Sequence, residues 1–184
     1  YAASNTAVPL VVLGVANYDS SVTRNLVELA SKDPRIVLVG HVDDRHEYFD
    51  LVHHASAYLH GHTVGGTNPA LVEAMAVGAR IAAADNAFNR ETLGGAGEYF
   101  TVGSAECIQL LQNIENETDR CRAMWRERAR ARSVARFSKR DVIDAYESIL
   151  ASAANSNHKR NISIQTMWTD LSHGERSPDG TKPD

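Results

Sequence analysis

The segment His60-Gly61-His62-Thr63-Val64-Gly65-Gly66-Thr67-Asn68-Pro69 joins residue types that can hold an anion. Paired glycines let a backbone approach a ligand closely and turn successive amide N–H groups toward it. Asn68 has the chemistry of a helix N-cap and Pro69 that of a first helical residue. The spacing therefore predicts a helix opening directly behind Gly65-Gly66, with its positive end toward them, and a diphosphate suits such a place. Glu73 falls off the apolar stripe Leu71, Val72, Met75 and Ala76, about a turn and a half into that helix, where a carboxylate can accept hydrogen bonds from the paired hydroxyls of a ribose. The same residues also describe a simple turn followed by a solvated glutamate, and spacing alone weighs the two readings evenly.

Other polar clusters carry less. His53, His54, His60 and His62 lie close together but lack acidic partners at a metal-ligand spacing, and no Asp-x-Asp pair stands beside the glycines. No metal and no cofactor are expected. Arg120, Arg122, Arg126, Arg128, Arg130, Arg132, Arg136, Lys139 and Arg140 form a basic stretch. Helical spacing spreads these charges around the axis, which favours a solvated helix over a grip on an anionic membrane surface.

The elements that must position the glycine segment follow from short apolar runs alternating with helical patterns. Strands are predicted at Pro9–Gly14, Arg35–Gly40, Ala57–His60, Arg80–Ala84 and Glu98–Val102, with helices around 21–32, 44–54, 69–77 and 87–93. Several strands are apolar on both faces, as in a parallel sheet covered on each side. The fold class is thus α/β: a Rossmann-like parallel sheet with helices on both faces, followed by C-terminal helices. From about residue 104 the pattern is purely helical, with a helix around 118–136 and another opening after an N-cap at Ser138. Val142, Ile143, Tyr146, Ile149 and Leu150 mark that last helix's predicted buried stripe. Residues 1–154 are read as one nucleotide-binding domain and 155–184 as a polar, irregular, mobile tail.

Composition removes several classes of function. With 184 residues, 43% of them hydrophobic and 23% charged, the chain fits one ordinary globular domain with some excess. A net charge of -4 offers no footprint for nucleic acid. Cys107 and Cys121 are too few and too far apart for a disulfide framework. No apolar run approaches the roughly 20 residues that span a bilayer. A cytoplasmic location is the expectation, with peripheral contact at the inner face of a membrane as an option.

The run GGTNPALVEAMAVGARIAAADNAFNRE resembles the donor-binding core of family 4 glycosyltransferases, and within them a bacterial rhamnosyltransferase-type subgroup; RIVLVGHV and RFSKRDVIDAYESIL extend the likeness over about residues 9–150. The resemblance implies the C-terminal half of a GT-B enzyme, a pair of facing Rossmann-like domains, so that an N-terminal partner domain would lie outside this chain. It implies that Gly65, Gly66 and Thr67, with His62 and Asn68 beside them, hold the diphosphate and sugar of a nucleotide sugar. Glu73 would bind the ribose, and Gly40, His41 and Val42 would line the base pocket. Arg90 is a weaker candidate for a cation at the phosphates, against a purely structural role, and Glu91 for a contact to the sugar. The family places a glutamate eight residues before the ribose-binding one; here that residue is Gly65, with Thr63 and Asn68 as stand-ins. The implied activity is transfer of a sugar, with rhamnose from its deoxythymidine-diphosphate form as the first donor the subgroup suggests, to a saccharide or polyprenyl-linked acceptor, with retention. Catalytic residues would come from outside the chain. A non-catalytic nucleotide-sugar-binding module and half of a sugar-nucleotide epimerase are the alternatives.

Overall fold

The computed structural model describes residues 1, 3–14 and 20–172, with side chains to residue 155. In chain order the elements are β1 (Leu10–Leu13), α1 (Ser21–Lys32), β2 (Ile36–Gly40), α2 (Arg45–His54), β3 (Tyr58–His60), α3 (Pro69–Ala76), β4 (Ile81–Ala84), α4 (Ala87–Leu93), β5 (Glu98–Phe100), α5 (Ala105–Glu115), α6 (Asp119–Phe137) and α7 (Lys139–Ser172). Every predicted strand and helix is present. All pairings are parallel, but they form two sheets, β1-β2 and β3-β4-β5, where the sequence predicts one.

The core gathers around β4. Ile81, Ala82, Ala83 and Ala84 are buried on both faces, and their small side chains let helices approach closely. Leu71 and Met75 of α3, Leu93 of α4 and Ala129 of α6 complete the cluster. Burying Leu71 and Met75 contributes roughly 2 kcal/mol each. The chain from residue 1 to 137 forms one compact unit and that from 138 onward a second.

Three arginines of α6 are turned to the ends of other helices, while Arg120, Arg128 and Arg136 stay exposed. Arg126 donates to the carbonyls of His53 at 2.8 Å and Ala55 at 3.3 Å, at the end of α2. Arg130 donates to Val77 O at the end of α3, and Arg132 to Thr92 O and Glu91 O at the end of α4. The last carbonyls of three helices, which have no intrahelical partner and carry the negative end of the dipole, are met by one cationic helix. The tightness is visible at Gly78, whose φ of +72° closes α3 and whose missing side chain leaves room for the Arg130 guanidinium.

Arg80 enters β4 with its side chain fully buried. It pairs with Glu98 of β5 and with Glu117 between α5 and α6, and its guanidinium lies 4.8 Å over the Trp125 ring. Burial opposes its charge, but the hydrogen bonds to Glu117 and Glu98 outweigh that and raise its pKa. At the other sheet, Arg35 forks onto Asp33 and donates to Ser4 O and Thr6 O, which ties the N-terminal segment to the start of β2.

Two expectations for the C-terminal part are corrected. The stretch 155–172 belongs to α7 rather than to an irregular tail. Its composition is polar, but no glycine or proline interrupts residues 139–172. Residues 173–184 of the predicted tail lie outside the described residues. Ser138 does cap α7, accepting from Asp141 N. The stripe Val142, Ile143, Tyr146, Ile149 and Leu150 is present but exposed, with Tyr146, Ile149 and Leu150 each at 65%. Among the described residues no helix is long and apolar enough to cross a membrane.

Candidate functional site

Ligands of open α/β sheets bind at the carboxyl ends of the parallel strands, where the described residues include the turn after β2, loop 61–68 after β3 and the turn after β4; of these three, loop 61–68 is the longest. Gly65 sits at φ +117°, a conformation side chains rarely adopt, and nothing lies within 4 Å of where a side chain would point at Gly65 or Gly66. Asn68 caps α3 as expected, its Oδ1 accepting from Ala70 N at 2.9 Å, with Pro69 in the first turn. That oxygen is engaged by the cap.

The loop is held by two asparagines to which the sequence assigns no role. Asn89 of α4, 3% exposed, donates through Nδ2 to His62 O at 3.0 Å and to Ala84 O at 2.8 Å; Asn86 donates to the same His62 carbonyl at 3.0 Å. The phrase around Phe88-Asn89-Arg90-Glu91 thus fastens the loop through its asparagine. A buried side-chain amide with two carbonyls to satisfy is a positional constraint, and only the tertiary pairing reveals it. Asn89→Ala is expected to cost about 1–3 kcal/mol in denaturant unfolding and to speed amide exchange across 61–68. Unchanged exchange there would remove Asn89 from the loop's support.

Glu73 is a third exposed and pairs with Arg45, the first residue of α2, at 2.8 Å. Gly40, His41 and Val42 end β2 and run into the Asp44 cap of α2, so this ion pair joins the predicted base pocket to the predicted ribose carboxylate. Arg45 was missed. Its signal is a cation in the first turn of a helix, where the dipole disfavours it unless a carboxylate stands near. The guanidinium also lies 4.9 Å over Phe49. Burial, with Tyr48 and then the Glu73 carboxylate, raises the Tyr58 phenol above its ordinary value. His41 faces Asp43 at 3.3 Å and is exposed.

The histidines separate. His53 bonds Val77 O at 2.8 Å through Nδ1, which is a structural contact at the end of α3. His60, 1% exposed, stacks between Tyr58 and His62, with centroids 6.0 and 4.9 Å away. Neither of its ring nitrogens has a partner. Burial, with His62 adding a smaller effect, lowers its pKa to about 4. Among the described residues no group of three His, Cys, Asp or Glu is arranged to hold a metal ion.

Arg90 is committed to Asp85, at 2.5 and 2.7 Å, and lies 4.6 Å over Tyr99. The pairing lowers the Asp85 carboxyl below its usual range. Its charge is neutralised at the end of β4, in keeping with the structural reading of this residue. Glu91, in the second half of α4, pairs with Arg136 at 3.1 Å and is not drawn toward the glycine loop.

Parallel strands, covering helices and a ligand-facing edge define a Rossmann-like α/β fold, and solved structures specify it further. No protein-family model and no curated protein matches the sequence. In structure, the chain is similar to HepE of Anabaena in complex with UDP, with a TM-score of 0.70 and 19% identity over 82% of this chain and 43% of that one. HepE in complex with UDP-glucose gives 0.66 and 20% over the same shares. TarM gives 0.62 and 15%, over 78% of this chain and 29% of that one. The chain spans less than half the length of each. These structures have the GT-B architecture, and this chain has the fold of one Rossmann-like half of it.

Proposed function

We propose that the chain is the donor-binding half of a glycosyltransferase that uses a nucleoside-diphosphate sugar. The observation that carries the reading is the glycine loop itself. Gly65 in a conformation kept for glycine, open space above Gly65 and Gly66, and an N-capped helix directly behind them stand together at the carboxyl end of β3. The amides of Gly65, Gly66 and Thr67, with the α3 dipole, would carry the diphosphate without a metal. His62 and the Asn68 amide lie beside the sugar, Glu73 takes the ribose hydroxyls, and Gly40-His41-Val42 borders the base. Two solved neighbours hold UDP and UDP-glucose, which supports a pyrimidine nucleotide. Deoxythymidine-diphosphate rhamnose is the first donor to test and a uridine-diphosphate hexose the second.

In this reading the half-site binds and orients, and stabilises the leaving diphosphate electrostatically as the sugar gains positive character. Acceptor binding, whether of a saccharide or of a polyprenyl-linked sugar, and the remaining catalytic groups belong to a second Rossmann-like domain. Retention of configuration is the outcome proposed.

Calorimetric titration of the full polypeptide with dTDP and UDP tests the reading. Glu73→Ala is expected to weaken the tighter nucleotide by about 10–100-fold, the worth of hydrogen bonds to a charged group. An unaltered affinity in a variant with wild-type circular dichroism would remove Glu73 from the site. No binding of either nucleotide would remove the donor reading.

A further inference from the structure

We infer that Arg45 is a positioning residue of the donor site: it holds one oxygen of the Glu73 carboxylate and so aims the other at the nucleotide's ribose. This rests on the reading of Glu73 as the ribose-binding carboxylate. Arg45 opens α2 and Glu73 lies on α3, 28 positions further along the chain.

The contact is one-sided. Arg45 Nη2 donates to Glu73 Oε1 at 2.8 Å, and Oε2 has no hydrogen-bond partner among the described residues. A carboxylate accepts through two oxygens, so a guanidinium on one leaves the other for a hydroxyl donor. The arginine is itself held in place. Its guanidinium lies 4.9 Å over the Phe49 ring, one helical turn on, and Asp44 fixes the start of α2 by accepting from His46 N and Glu47 N. Tyr48 stands close to both partners: burial first and the Glu73 carboxylate next raise its phenol, while the Arg45 charge lowers it. Among the described residues Arg45 is the only cation paired with Glu73.

Folding does not account for the pair. The Arg45 side chain is 67% exposed and that of Glu73 34%, and an ion pair so open to water adds little to stability. A cation in the first turn also meets the positive end of its own helix. What the pair supplies is order in a side chain otherwise free to choose among rotamers. A ligand that binds a free glutamate must immobilise it, and part of the binding energy is lost in doing so; a carboxylate already aimed avoids that loss. A bound nucleotide would also exclude water from the pair and strengthen the hold on Oε1.

Calorimetric titration of the full polypeptide with UDP and dTDP, alongside urea unfolding, tests the role. Arg45→Met keeps the stem and removes the donors; it is expected to weaken the tighter nucleotide about 3–10-fold, the cost of ordering one free side chain, with the urea midpoint unchanged. Arg45→Lys keeps a cation able to make a single contact and should stay within about twofold of the native protein. In a Glu73→Ala background, Arg45→Met should change the affinity by less than about twofold, because no carboxylate remains to be aimed. If Arg45→Met alone costs less than that while Glu73→Ala still weakens the nucleotide, this inference is overturned and the donor reading stands. An equal loss with and without Glu73 would make the arginine a direct ligand contact and overturn it too, as would a urea midpoint that falls with the affinity. Absence of binding by the native protein would remove both readings.

Discussion

Arg80→Leu is expected to lower the unfolding free energy by about 3–5 kcal/mol, the usual result of removing one partner of a buried ion pair. The guanidinium is fully buried and is the only cation paired with Glu117, itself 10% exposed, among the described residues. Without it that carboxylate stays in a low-dielectric setting unpaired, while Glu98, 39% exposed, relaxes toward water. The loss also removes the contact of the Arg80 guanidinium with Trp125 of α6. Since α6 closes the ends of α2, α3 and α4, the damage should spread to all three. Equilibrium urea unfolding of the single and double variants checks this. Arg80→Leu with Glu117→Leu should recover much of the loss, because an apolar pair carries no stranded charge. A single-variant loss under about 1 kcal/mol would show that Arg80 is not what holds these elements together.

Acid is expected to destabilise the protein through His60 at a higher pH than through Asp33 or Asp85. In the unfolded chain this imidazole takes up a proton near pH 6.5, and in the fold only near 4, because burial disfavours the charged ring. Between those values the unfolded state binds a proton that the folded state refuses. The stabilisation is therefore complete above pH 6.5 and falls as the pH drops toward 4, in total by about 3 kcal/mol. Asp33 and Asp85, lowered by their arginine partners, lose their contributions only at more acidic pH. The two windows separate. Urea midpoints measured from pH 7 to 4.5 should drop for the native chain and much less for His60→Asn. Parallel slopes for the two proteins would assign the acid sensitivity elsewhere.

Much of the architecture was legible in the sequence because local rules act alone there. Alternating apolar runs located all five strands, since a strand buried on both faces must be apolar throughout. The caps at Asn68 and Ser138 announced their helices through side chains that bond their own backbone two or three residues on. Glycine at position 65 followed the same logic, a conformation that other residues avoid.

Long-range partners were not legible, because nothing local distinguishes one arginine from another. Sequence alone assigned Arg45, Arg80, Arg126, Arg130 and Arg132 no partner, yet Arg45 meets the Glu73 carboxylate, Arg80 is buried and three end other helices. Asn89 looked like an ordinary helix residue until α4 folded against loop 61–68. The stripe on α7 shows the converse, since helical periodicity reveals that a face is apolar and only packing decides whether it is covered. By itself the sequence determined the class of fold, the elements and the place of the glycine loop, all consequences of backbone preference and apolar period. The tertiary structure alone decided which charges are paired and which histidine is buried, because those depend on contacts between residues dozens of positions apart.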